Sequence, residues 1–148
     1  MPTVRRSRTF PAATEELWAT IGDPHHLPRW WPRVQRVEQV DASGFTEVLQ
    51  TDRGKSVRAD FRLTGLDEPR EIRWTQDVEG TPFERILAAA ETVVRLAPAA
   101  DGGTHVELQL RQRLRGFARF GGFMVRGASR KALDDALDGL GRLFDAPA

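Results

Sequence analysis

The chain has 148 residues, 40% hydrophobic and 29% charged, the size and make-up of one globular domain able to bury a core. Its formal net charge of +1 is too small to argue for attraction to nucleic acid or an anionic membrane surface. Cysteine is absent and no run approaches about 20 apolar residues, which excludes a disulfide framework, thiol chemistry and a helical membrane span. The opening MPTVRRSRTF is basic but lacks the apolar stretch of a secretory signal, so a cytoplasmic location is expected.

In chain order, residues 3–10 read as a short strand, polar enough to lie at a sheet edge, and Pro11 ends it. Residues 12–21 read as a short helix, with Leu17, Trp18 and Ile21 at helical spacing and Thr14 as the expected N-cap. Trp18 is assigned to the core. Gly22-Asp23-Pro24 breaks that helix, and PHHLPRWWP reads as an ordered, aromatic-rich crossing that ends at Pro32. From Val34 the period changes to two. Residues 34–40 and 45–51 flank the turn Asp41-Ala42-Ser43-Gly44. Residues 56–66 alternate Val57, Ala59, Phe61 and Leu63 against Ser56, Arg58, Asp60 and Arg62. Residues 71–78 place Ile72, Trp74, Gln76 and Val78 on one face. Residues 83–96 are expected to form one long strand, bulged near 86–90 where both faces are apolar. Asp101-Gly102-Gly103 signals a hairpin, and residues 104–114 alternate Val106, Leu108 and Leu110 against His105, Glu107 and Gln109.

Residues 117–144 carry the period of a helix, about 40 Å long if continuous. Ala118, Gly122, Val125, Ser129, Ala132, Leu133, Ala136, Leu140 and Leu143 share its buried stripe, which is small in the first half and leucine-rich in the second. The whole is a single α+β domain, residues 1–148: one strand, two short helices, six strands in a meander, one long helix. Consecutive hairpins make the sheet antiparallel and its single apolar face needs a cover, which the terminal helix alone is long enough to supply.

Several stretches resemble the START-like, or helix-grip, superfamily, which includes the birch-pollen allergen proteins, and within it the bacterial polyketide cyclase/dehydrase-like (SRPBCC) group. They are Pro11-Ala12-Ala13 with Glu15, Glu16 and Trp18; Asp23-Pro24 followed by Leu27-Pro28-Arg29-Trp30-Trp31-Pro32; Gly80-Thr81-Pro82-Phe83; Gly103-Thr104; and the terminal helix. The resemblance covers essentially the whole chain and rests on turns and packing residues, so it specifies fold better than activity. It implies a curved seven-stranded sheet wrapped around the helix, and a cavity between them that takes apolar small molecules such as lipids, polyketides, sterols or quinones. On that fold, Leu133, Ala136, Leu140 and Leu143 should seal the closed end. Gly121, Gly122, Val125 and Ser129 should leave room at the open end, or else Gly121-Gly122 marks a kink.

The residues themselves offer little specific chemistry. His25 and His26 are adjacent and diverge, and His105 is on the polar phase of its strand, so no metal or other cofactor is expected. No serine lies in a Gly-x-Ser-x-Gly elbow, and Gly121-Gly122 has neither the spacing nor the setting of a phosphate loop. Arg58, Arg62, Arg73 and Arg111 alternate with Asp60, Asp77 and Glu107, the pattern of a solvated, ion-paired sheet face rather than a nucleic-acid patch. What remains is polar residues on apolar phases: Gln76, Glu84 and Gln112, joined by Thr92 and Ser129. Phe61, Trp74, Ile86, Leu110 and Val125 are candidate walls. One of Trp30 and Trp31 should line the mouth, with Trp30 taken as the candidate, and Phe117, Phe120, Phe123 and Met124 should form the entrance. Glu84 is the weak candidate for a general acid or base; an ion pair to Arg85 or Arg113 would make it structural instead.

Three readings stay open: a carrier or sensor of an apolar small molecule, a polyketide aromatase/cyclase or dehydratase-like enzyme, and an interaction domain with a vestigial pocket. Cyclases of the resembled group use tyrosine hydroxyls in their pockets, and this chain has no tyrosine, which favours the carrier. The expected partner is the ligand alone, with no nucleic acid and no stable membrane insertion, for a monomer or weak homodimer.

Overall fold

The computed structural model describes residues 2–51, 53–116 and 122–145, excepting the side chains of 122–124. The period-two stretches form β1 (Thr3–Phe10), β2 (Val34–Glu38), β3 (Gly44–Gln50), β4 (Ser56–Asp67), β5 (Glu71–Asp77), β6 (Leu87–Pro98) and β7 (Thr104–Leu114). The helical stretches form α1 (Thr14–Ile21), α2 (Leu27–Trp30) and α3 (Gly122–Phe144). All strands pair antiparallel in the order β1-β7-β6-β5-β4-β3-β2. The meander β2 to β7 follows from its hairpin turns. β1 adds beside β7 over its full length, from Thr3 opposite Arg111 to Phe10 opposite Thr104.

The inward face buries Phe10, Ile72, Val94, Leu96, Val106 and Leu108 against Leu133, Ala136, Leu137 and Leu140 of α3. Leu17, Trp18, Ile21, Leu27 and Trp30 close the same core from α1 and α2. Each such leucine or isoleucine contributes about 1.5–3 kcal/mol relative to exposure, so the leucine-rich half of α3 anchors the helix in the core. Gly139 is the point of closest approach: a Cβ there would run into the backbone oxygen of Trp30. α3 leans on β1, β7 and α2. Arg8 ties β1 to it, donating to Asp138 Oδ1 at 2.6 Å and to the Leu137 carbonyl at 3.2 Å, while Arg6 Nε stands 3.2 Å from Asp134.

The opposite face is a lattice of ion pairs. Arg58 meets Glu38 at 2.8 Å, Arg62 meets Asp77 at 2.6 Å, and Arg95 bridges Glu71 and Glu107 at 2.9 and 3.0 Å. These three arginines are paired within the sheet.

Two local expectations are corrected. The N-cap of α1 is Ala13 and makes no side-chain cap, while Thr14 Oγ1 pairs with Thr104 Oγ1 at 3.1 Å. Residues 83–96 are not one strand: Pro82–Arg85 is a 3-10 turn, because Pro82 sets the φ of its first position and cannot donate to a ladder. β6 starts only at Leu87, with an irregular register between Leu87 and Ala89 where a bulge is expected. Of the helix expected over 117–144, the described part is Gly122–Phe144. The expectations for Phe117, Ala118, Phe120 and Gly121, and for the side chains of Gly122, Phe123 and Met124, lie outside the described residues.

Candidate functional site

Strand register orders the inward side chains into rows. Leu63, Trp74, Thr92, Leu110 and Val4 lie directly opposite one another across β4, β5, β6, β7 and β1. One step along, Phe45 faces Phe61 and Phe61 faces Gln76, while Ala90 faces Gln112. A further step brings Val37, Glu47 and Ala59 together.

A chain of aromatic rings runs from α2 onto β3, β4 and β5. Trp30 and Trp31 meet edge-to-face at 5.3 Å, Trp31 meets Trp74 at 6.0 Å, Trp74 meets Phe45 at 5.8 Å, and Phe45 stacks on Phe61 at 5.3 Å. Trp31 is thus the tryptophan that reaches the sheet interior. Trp30 is buried beneath α3, its Nε1 without a partner among the described residues.

Polar groups punctuate the apolar face. Ser129 of α3 donates to Gln112 Oε1 of β7 at 3.0 Å, so two residues singled out from sequence satisfy each other across the helix–sheet gap. Gln76 shares the phase of Trp74, and its Nε2 is buried with no hydrogen-bond partner among the described residues. Glu47 is the most exceptional: a carboxyl side chain 3% exposed, on the phase of Phe45 and Leu49. Burial alone pushes that carboxyl up to about 8, so Glu47 is mostly protonated at neutral pH. Strand spacing puts Glu47 and Gln76 on the order of 12 Å apart, two strands across and one inward position along.

Two clefts border the sheet. A cleft of about 270 Å³ lies between α3 and the α2–β2 loop, lined by Trp31, Pro32, Arg33, Leu49, Ala128 and Ala132. Leu49 is the next inward residue of β3 after Glu47, so the cleft lies one inward position along the strand from the buried acid. A second, about 420 Å³, lies at the sheet edge beside Gln76, Val78, Ala88 and Ala89 and also touches Arg62, Thr75 and Asp77 of the ion-paired face, just past Thr75 opposite Glu91, the last described β5–β6 pair. A narrow cavity of about 20 Å³, room for one water, gathers Leu110, Gln112 and Val125.

Of the sequence candidates, Phe61, Trp74 and Gln76 come together on the sheet, and Leu110, Gln112, Val125 and Ser129 at the helix–sheet seam, with Thr92 buried between Trp74 and Leu110. Glu84 and Ile86 do not join them. Glu84 sits in the 3-10 turn and accepts the Gly80 N–H at 2.6 Å, and Ile86 is 51% exposed. Glu47 was missed, although Phe45-x-Glu47-x-Leu49 carries the same signal, an acid on an apolar phase, that marks Gln76 and Gln112. Among the described residues, no group of three or more His, Asp or Glu could hold a metal ion.

A curved antiparallel sheet gripping one long helix, with two short helices after the first strand, is the START-like helix-grip class. The chain belongs to the family described as polyketide cyclase / dehydrase and lipid transport, whose model matches residues 1–145. Solved structures agree on the fold. A START superfamily protein from Mycobacterium smegmatis aligns with a TM-score of 0.77 at 16% identity, covering 95% of each chain. A conserved protein from Geobacillus kaustophilus aligns at 0.77 and 19% identity, covering 95% of this chain and 93% of its own. A Deinococcus radiodurans protein aligns at 0.66 and 22% identity, covering 97% and 95%. No curated protein matches the chain in sequence.

Proposed function

We propose that the protein binds an apolar small molecule between α3 and the inward faces of β3, β4 and β5. The supporting observation is the pairing of an aromatic wall with two buried polar groups, Gln76 Nε2, which has no hydrogen-bond partner among the described residues, and Glu47, whose carboxyl is perturbed by burial alone. A buried donor left unpaired costs about 1–3 kcal/mol, and a ligand oxygen that accepts from it recovers that cost on binding. The lipid-transport side of the family description is consistent with this reading.

Trp31 and Trp74 make the test direct, since a molecule lying against them alters tryptophan emission. Titration with a panel of ketones, sterols and lipids, with native mass spectrometry of the complexes, should show saturable one-to-one binding. Leu49→Trp, which fills the cleft, should weaken it at least tenfold. A panel that neither shifts emission nor yields a complex overturns the proposal.

One observation favours a second reading, a cyclase or dehydratase. A carboxyl held protonated in an apolar pocket is a general acid able to deliver a proton to a ketone oxygen or a leaving hydroxyl. In that case wild-type protein turns over a cyclisable poly-β-ketone and Glu47→Gln does not. Equal rates in the two remove Glu47 from any chemistry.

A further inference from the structure

We infer that the ligand of this interior is uncharged and presents hydrogen-bond-accepting oxygens, and that carboxylate-bearing amphiphiles are rejected. The inference rests on the binding proposed above and deepens it by naming the ligand's chemistry.

The inward side chains of β3 to β7 are the reason. They are Phe45, Glu47 and Leu49; Val57, Ala59, Phe61 and Leu63; Ile72, Trp74 and Gln76; Ala90, Thr92, Val94 and Leu96; and Val106, Leu108, Leu110 and Gln112. No lysine or arginine is among them. Arg6 and Arg8 of β1 take the phase of Val4 and Phe10, but each is held by an aspartate of α3, Asp134 or Asp138. At the cleft rim Lys131 is paired with Asp135 at 2.8 Å, and Arg33 is exposed and engaged elsewhere. The elements packed around Glu47 contribute Val37 from β2 and Ala59 from β4, neither of which titrates. An anionic head group that entered would therefore lose its water, meet no cation and confront a carboxyl.

The groups that do wait there are donors. The protonated Glu47 offers an O–H. Gln76 Nε2 offers two N–H groups and finds no acceptor among the described residues. Gln112 Oε1 accepts from Ser129, which leaves both of its amide N–H groups available as donors. A ketone, quinone or lactone oxygen complements such a set, and a hydrocarbon leaves it unpaired.

Three probes of one shape separate the outcomes: acetylnaphthalene, naphthoic acid and ethylnaphthalene, titrated at neutral pH with tryptophan emission and native mass spectrometry as readouts. The ketone should bind at least tenfold tighter than either the acid or the hydrocarbon. Glu47→Gln, which still donates, should keep most of the ketone's affinity and reduce the discrimination against the acid. Glu47→Leu should bring the ketone down to the hydrocarbon. Naphthoate binding as tightly as the ketone, or the hydrocarbon matching it, overturns the inference and leaves the binding proposal standing. If none of the three binds but other apolar molecules of the wider panel do, and these show no preference for oxygen acceptors over carboxylates, the inference also falls. Absence of binding by every compound tested defeats the binding proposal itself.

Discussion

Glu47 sets a term in stability that can be read against pH. Its carboxyl titrates at about 8 in the fold against an ordinary 4.5, because burial disfavours its charged form. Below about pH 4.5 folded and unfolded chains are both protonated and ionisation adds no cost. Between the two values the unfolded chain releases the proton and the folded one keeps it, so stability falls as pH rises, and the loss is complete above about pH 8. At 1.36 kcal/mol per unit this amounts to about 3 kcal/mol at neutral pH and on the order of 5 kcal/mol in alkali. Glu47→Gln should accordingly raise the melting temperature by several degrees near pH 9 and leave it little changed near pH 4.5. A gain that is the same at both pH values would show that the side chain is not buried as an acid. A residue with that cost, kept where leucine would pack, fits a functional rather than a structural role. The residue was legible in principle. It was obscured because Val48, on the opposite phase, is itself buried, so residues 45–49 do not alternate cleanly and the acid does not stand out.

At the scale of elements, the sequence marks boundaries well where a single residue type enforces them. β1 ends before Pro11 and lies at the sheet edge, as its polar make-up predicts, and β7 begins after Gly103 and runs as its alternation predicts. The error around Pro82 has the same physics with the opposite sign. Ile86-Leu87-Ala88 has strand-like composition, but an imino acid at the head of the segment favours a turn, which carries Glu84 and Ile86 away from the interior. The helix stripe was legible too, whereas the closest contact along it was not, because a close approach is a property of two elements. Gly139→Val should show this: the added carbons meet the Trp30 backbone, which has no rotamer to escape through, and the loss should be about 3 kcal/mol, at the upper end of overpacking. A denaturant titration in which Gly139→Val matches wild type would mean that α2 and α3 can separate at no cost. Ser129→Ala is the milder counterpart. It removes the donor to Gln112, and a loss of about 1 kcal/mol is expected.

For the molecule as a whole, the question is what holds its two ends together, since β1 and α3 are the first and last elements and pack on each other. Two interactions compete. The visible one is ionic: Arg8 to Asp138 and Arg6 to Asp134, both between half-exposed side chains. Pairs of that kind are worth about 0–1 kcal/mol and weaken with salt. The other is the β1–β7 ladder together with the buried Val4 and Phe10, a run of eight register positions joining residues about a hundred apart in sequence. Burying Phe10 alone is worth about 1.5–3 kcal/mol, so the ladder and core should dominate. A double-mutant cycle on Arg8→Ala and Asp138→Ala should give a coupling below about 1 kcal/mol that shrinks further in molar salt. Removing residues 1–10 should have an effect of another order, because it strips α3 of its seat and leaves β7 an uncovered edge. That variant should melt without a cooperative transition by circular dichroism and self-associate on size exclusion. If it instead melts cooperatively near the wild-type temperature, α3 is held by β7 and α2 alone, and β1 is an ornament on a sheet complete without it.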